Sequence, residues 1–257
     1  MSRNTSSWRT WVLIGLFVTS GGGVFAQIEP METTPAGGPG QHLTIEVWSD
    51  VVCPFCYIGK REMESAVARF AHRDSVRVVW KSFELDPDAP SRGTENTYEM
   101  LSRKYGLSME GARERTRGVK ERAAGLGLQY DFDRTVVGSS FDAHRLLQFA
   151  KAQGKGDEMK ERLLKAYFTE GRHIADHATL IGLAKEVGLR TGDVDAMLKS
   201  PDFTEAVRAD EREAAQLGVR GVPFFVFDRR FAVSGAQDGE TFLKALEQAW
   251  RARGSDQ

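Results

Sequence analysis

Cys53-Pro54-Phe55-Cys56 stands between a strand-like run and a helix-like one, and this placement constrains the fold more than any other stretch of the chain. Before it, Leu43-Thr44-Ile45-Glu46-Val47-Trp48 alternates apolar and polar residues, the period of a strand. Pro54 suits the first position of a helix, where its missing N–H would be unbonded anyway. Ile58, Met63, Ala66, Val67 and Phe70 then recur at helical spacing. Val76–Leu85, rich in Val, Trp and Phe, reads as a second strand closed by Asp86-Pro87-Asp88-Ala89-Pro90. The unit is β-α-β, whose strands are expected to lie parallel. Residues three apart in a helix share a face, so the two sulfurs can reach bonding distance. Cys53 falls at the helix N-terminus, where free N–H groups favour negative charge, and its thiolate is expected to be stabilised. Cys56, one turn in, is expected to be better shielded. In this arrangement Cys53 exchanges with a partner's sulfur through a mixed disulfide and Cys56 resolves it.

Cys53 and Cys56 are the only cysteines among 257 residues. That count excludes a disulfide-stapled miniature fold and any zinc site of four thiolates. Half of a zinc knuckle would need two further ligands. None of the five histidines, His42, His72, His144, His173 and His177, lies in a second spaced pair with cysteine. The reading therefore assigns no metal, and no cofactor is called for. With 41% hydrophobic and 28% charged residues the chain can bury a core. A formal net charge of −1 offers no general attraction for nucleic acid or an anionic membrane.

From about Ser91 to Leu217 helices separated by glycines take over. Thr97–Tyr105 stops at Gly106 and Ser108–Ala124 at Gly125. Ser139-Ser140-Phe141-Asp142 reads as a capping box opening a helix that ends at Gly154. Further helices are expected over Asp157–Glu170, Asp176–Val187 and Asp202–Leu217, the last with Ser200 as N-cap and Pro201 at its first position. Phe224–Phe227, Asp228-Arg229-Arg230 and Phe231–Gly235 read as a hairpin, and a final helix runs from about Gly239 to Trp250. An insertion this large needs apolar packing of its own, so two lobes with a cleft between them are expected.

Gly221-Val222-Pro223-Phe224-Phe225-Val226 is the second signal. Pro223 opens a strand, and the Val222–Pro223 bond is read either as cis or as an ordinary trans bond at an edge strand. Glu84 reads either as a buried acid that moves the resolving cysteine's proton or, preferred, as a solvent-facing carboxylate beside Asp86 and Asp88. Lys60 and Arg61 read as the solvated face of their helix. His144 reads as a hydrogen-bonded core residue. His173 and His177 are four apart, but Asp176 reads as an N-cap, which places His173 outside the helix.

Together these segments resemble the DsbA-like proteins of the thioredoxin superfamily, most closely the FrnE-like branch. The residues carrying the resemblance are Ser49-Asp50-Val51-Val52-Cys53-Pro54-Phe55-Cys56-Tyr57-Ile58-Gly59-Lys60, Phe141-Asp142-Ala143-His144-Arg145-Leu146 and Gly221–Val226, over roughly Leu43 to Trp250. The resemblance implies an α/β, thioredoxin-like fold with a large all-helical insertion. Residues 43–90 and 218–252 would form the thioredoxin-like domain and 91–217 the inserted helical domain. It implies that Cys53 is the nucleophile and Cys56 the resolving thiol. Pro54 and Phe55 support the site, Pro223 is cis beside the disulfide, and Val222 offers its backbone to a bound polypeptide. One departure stands out: Pro54-Phe55 supplies no cation or hydrogen-bond donor, so a potential milder than the oxidising extreme of about −120 mV is expected.

At the N-terminus, Arg3 and Arg9, the apolar run Trp11–Val18 and Val24-Phe25-Ala26 match a secretory signal peptide cut after Ala26. Residues 27–42 would follow as a flexible leader. A start at Met31 is the rival reading, and would leave the protein cytoplasmic. The expected function is a thiol–disulfide oxidoreductase acting on exported polypeptides in the periplasm or outside the cell. It would touch the membrane only through its signal segment. Without a third cysteine, a separate redox partner must reset the disulfide. A glutathione-dependent isomerase or transferase of the kappa-class type shares the architecture but usually carries serine at the active position. A polypeptide-binding chaperone without redox turnover is the remaining alternative.

Overall fold

The computed structural model describes residues 26–27, 42–91 and 93–254. The signal-peptide and leader readings therefore fall almost wholly outside the described residues. A short strand β1 (Ala26–Gln27) precedes β2 (Leu43–Ser49), helix α1 (Pro54–Arg69) and β3 (Val76–Ser82). Seven helices follow: α2 (Thr97–Tyr105), α3 (Met109–Gly125), α4 (Phe141–Ala152), α5 (Gly156–Phe168), α6 (His177–Glu186), α7 (Thr191–Lys199) and α8 (Thr204–Gln216). Strands β4 (Phe224–Phe227) and β5 (Phe231–Ser234) and helix α9 (Gly239–Gly254) close the chain. The sheet order is β1-β5-β4-β2-β3, with β2 and β3 parallel and the other pairings antiparallel. This is a thioredoxin-like fold with a helical insertion.

Alternation along β2 decides what each face of the sheet meets. Leu43, Ile45 and Val47 are buried on the side of α1 and α9 together with Ile58, Met63, Phe225 and Phe242. Trp48 points the other way, into a smaller cluster with Ala214, Val219, Val226 and Ala232. There α8 covers the sheet. The Trp48 indole N–H donates to the Asp210 carbonyl at 2.9 Å, and Asp210 accepts from the Ser82 N–H at 2.8 Å. The polar residues of β2 are thus covered too: Glu46 is buried against Arg229 and Lys81. The insertion's apolar side chains, among them Tyr98, Phe132, Leu146, Leu163, Phe168, Leu183 and Leu198, join the α1 side in one continuous cluster. The expected separate packing of the insertion merges with the core beneath the sheet.

Several helix boundaries differ from the sequence reading. Ser139 accepts from the Phe141 N–H at 3.2 Å, but the N-cap Ser140 makes no side-chain cap bond. Asp142 turns instead to Arg145 at 2.7 Å and His177 at 2.8 Å, so no capping box forms. Ser200 is the C-cap of α7, a helix absent from the sequence reading, and not the N-cap of the next one. That N-cap is Phe203, in left-handed backbone at φ 62°, whose ring meets Phe149 edge-on at 5.8 Å. The signals that held are local: Asn96 builds a full capping box on α2, Gly106 ends that helix at φ 67°, and Asp176 caps α6.

Candidate active site

β2 ends at Ser49, and the chain turns through Asp50-Val51-Val52 so that Cys53 becomes the N-cap of α1 with Pro54 at its first position. Both cysteines are thiols here, Cys53 4% and Cys56 1% exposed. The Cys56 N–H donates to the Cys53 carbonyl at 3.0 Å, closing the first turn. Opposite lies the start of β4. The Val222–Pro223 bond is cis, and the Cys53 thiol donates to the Val222 carbonyl at 3.4 Å. Gly59 permits this approach: a Cβ there would stand 3.0 Å from Pro223 Cγ and 3.2 Å from Phe225 Cζ. The two sequence signals, some 170 residues apart, therefore meet at one place. Of the remaining predicted residues, Pro54 offers its carbonyl to the Tyr130 hydroxyl at 2.7 Å, and Phe55 is half-buried against the core.

Several groups act on the two thiols of the reduced pair at once. The Cys53 sulfur faces the Val222 carbonyl, which favours S–H, while the Cys56 backbone N–H favours S⁻. The hydrogen bond to Cys56, then burial, pushes the Cys53 thiol well above its ordinary range. Burial opposes a thiolate at Cys56 too, but the Cys53 hydrogen bond, the Lys160 ammonium and the Ser49 hydroxyl together draw it below its ordinary value. The two thiols titrate as a unit, and their titration belongs to the pair rather than to either sulfur.

Around the sulfurs stand buried polar groups from distant parts of the chain. Asp50 is wholly buried and accepts from the Leu85 N–H at 2.7 Å and the Val52 N–H at 3.3 Å. His144 of α4 reaches it with Nε2 at 3.2 Å, as a hydrogen-bonded core histidine should. Against the cost of burial, the His144 contact and the Leu85 N–H hold the Asp50 carboxyl below its usual value. An ionised Asp50 can only accept, so Nε2 carries the proton between them, and His144 Nδ1 is left buried without a partner.

Three sequence readings are corrected here. Lys60 is not on a solvated face: it is 2% exposed, with Glu161 at 3.0 Å, Asp157 at 3.9 Å and Glu64 beside it. Arg61 is half-buried, bonded to Glu64 at 2.7 Å and to Glu161. Helix α5, carrying Asp157 and Glu161, lies over this part of α1. Glu84 is not solvent-facing either: it is buried and bonded to Arg208 at 2.6 Å. Two neighbours of the site went unnoticed in the sequence, Tyr130 and Lys160. Tyr130 gives no local signal. Lys160 gives one, because it shares the face of α5 that carries Leu163, Leu164 and Tyr167, where an apolar residue belongs.

The sequence model of the DSBA-like thioredoxin domain matches residues 44–247. A crystal structure described as a probable DsbA oxidoreductase from Streptomyces coelicolor superposes with a TM-score of 0.78 at 45% identity, over 81% of this chain and 90% of that one. The protein YwbO of Bacillus subtilis, itself uncharacterised, is 29% identical over 204 residues, 79% of this chain and 94% of its own length. The cytosolic disulfide reductase DsbM from Pseudomonas aeruginosa shares the fold, with a TM-score of 0.57 at 19% identity over 81% of this chain and 100% of its own. The chain belongs to the DSBA-like thioredoxin domain family and is a DsbA-like thiol–disulfide oxidoreductase.

Proposed function

We propose that the protein exchanges a Cys53–Cys56 disulfide with exported polypeptides through a mixed disulfide on Cys53. The observation that carries this reading is the meeting of Cys53 with Val222 at 3.4 Å, which puts the outer sulfur beside a strand-entry backbone. A client thiolate attacks the Cys53 sulfur, the S–S bond breaks, and its electron pair leaves on Cys56. A second client thiol then releases the client as a disulfide and leaves the Cys53–Cys56 pair reduced. The reverse order reduces a client. Val222 is the backbone that pairs with the client, while Pro54, Phe55 and Pro223 shape the entrance. With no other cysteine in the chain, a separate redox partner resets the pair. Export rests on the basic, apolar and small-residue sequence of Met1–Ala26, and places the work in the periplasm or outside the cell.

The test is Cys56→Ser expressed in cells, with fractions separated before alkylation. Mixed disulfides on Cys53 in the exported fraction support the reading, and their loss in Cys53→Ser identifies the attacking sulfur. Adducts confined to the cytoplasm would overturn export, and undiminished exchange by Cys53→Ser would overturn the mechanism.

A further inference from the structure

A cation in the last turn of a helix commonly serves the carbonyls of that turn. Arg122, in the last turn of α3, reaches away from its helix instead. Its Nη2 donates to the Ala236 carbonyl at 2.5 Å and to the Gln237 carbonyl at 3.3 Å, 114 and 115 positions away, and lies 3.4 Å from Glu62 Oε1. The other Glu62 oxygen accepts from the Gly239 N–H at 2.9 Å. A guanidinium from the inserted helices and a carboxylate from α1 therefore grip the two ends of the segment that links β5 to α9. Within it Gln237 and Asp238 are exposed and Gly235 takes left-handed backbone at φ 79°, so the grip supplies restraint that burial does not.

The gripped segment leads back to Cys53. The Gly235 N–H donates to the Pro223 carbonyl at 2.8 Å, one step beyond the Phe224–Ser234 pair that ends the β4–β5 ladder. Pro223 and Ala236 also press on one point of α1: a Cβ on Gly59 would stand 3.0 Å from Pro223 Cγ and 3.5 Å from Ala236 Cα. Pro223 follows Val222, whose carbonyl lies 3.4 Å from the Cys53 sulfur. An unbroken run of hydrogen bonds and chain joins α3 to the Val222 backbone. The geometry points to Arg122 as a positioning residue for the client: through Ala236 and Gly235 it fixes Pro223, and with it the place where Val222 presents its backbone beside Cys53. This rests on the proposal that Val222 pairs with the client polypeptide. Arg122 bonds to the segment and to Glu62, not to either cysteine, so it acts on how tightly an extended polypeptide is held and not on the reactivity of the disulfide. Its side chain is 36% exposed, and water competes for the same carbonyls, so the effect is that of about one hydrogen bond.

The test follows reduction of the oxidised protein by two reagents: an extended peptide carrying two cysteine thiols, and dithiothreitol, which has no peptide backbone to pair. For Arg122→Met the half-saturating peptide concentration is expected to rise about fivefold, while the limiting rate with peptide and the rate with dithiothreitol stay within about twofold. Glu62→Gln keeps an acceptor for the Gly239 N–H and removes the charge facing Arg122. It should raise the same concentration by a smaller factor, and it carries the test if Arg122→Met folds poorly. An unchanged half-saturating concentration, or equal slowing with both reagents, overturns the inference. Wild type checks the reading beneath it, using the same peptide N-methylated at the residues flanking its first cysteine. If wild type treats the two peptides alike, pairing at Val222 fails. If wild type binds the N-methylated peptide more weakly and Arg122→Met leaves half-saturation unchanged, the role of the arginine alone fails.

Discussion

His144 and Asp50, 94 positions apart and both wholly buried, meet at 3.2 Å between Nε2 and Oδ1 and tie the inserted helix α4 to the loop that presents Cys53. Removing His144 leaves a buried carboxylate with the Leu85 and Val52 N–H groups and the Ser140 hydroxyl as its remaining donors. His144→Leu is expected to destabilise the protein by about 3–5 kcal/mol, as broken buried pairs do. Adding Asp50→Asn removes the orphaned charge, so the double variant should be more stable than the sum of the two singles. Urea unfolding of the four proteins measures this coupling, and strict additivity would refute it.

Tyr130 joins the insertion to the active-site turn by one hydroxyl and one ring. The hydroxyl donates to the Pro54 carbonyl at 2.7 Å, and the ring stacks on Tyr57 of α1 at 6.2 Å. Tyr130→Phe keeps the ring and should cost about 1 kcal/mol, one hydrogen bond. Tyr130→Ala also opens a cavity and should cost about 3–5 kcal/mol. Equal losses in the two variants, by thermal or urea unfolding, would show the ring to be idle.

Glu161 supplies a pH dependence with a definite sign. Although burial opposes it, the bonds from Arg61 and Tyr57 and the Lys60 charge hold its carboxyl at about 2, below the ordinary 4.5. A carboxyl lowered by folding stabilises the native state above its unfolded pKa, and that stability is lost as pH falls through the folded one. Because Glu161 is partly exposed, solvent screening reduces the contribution to about 1–2 kcal/mol. The stability gap between wild type and Glu161→Gln should be constant above about pH 5 and should close between 4.5 and about 2. A gap that persists unchanged at low pH would contradict the assignment.

The dipeptide between the cysteines sets the fourth expectation. Pro54 and Phe55 bring neither charge nor a side-chain donor to the sulfurs. The potential measured against glutathione should therefore be more reducing than about −120 mV. A value at that extreme would refute this expectation.

The parts legible in the sequence are those whose cause is local. Period-two alternation located β2, the proline at the first helical position fixed the start of α1, and the turn Asp228-Arg229-Arg230 joined β4 to β5. Those strands and helices bring Cys53, Val222 and Pro223 together. What stayed hidden depends on distant partners. Lys60 and Glu84 carry side chains that usually face water, and only α5 and Arg208 explain why they do not. The start of α8 was missed because Phe203 is held in left-handed backbone by tertiary packing rather than by a capping side chain.

His144, Tyr130 and Lys160 all lie on the stretch that interrupts the thioredoxin-like segments, and each reaches back to the cysteine turn or its neighbours. The interruption is therefore not a detachable accessory. Trimmed to its strands and first helix, the chain would keep both sulfurs yet lose the surroundings that tell one from the other. For anyone seeking a minimal version, or grafting Cys53-Pro54-Phe55-Cys56 onto another scaffold, the unit to transplant is a motif together with three anchors from a different part of the polypeptide.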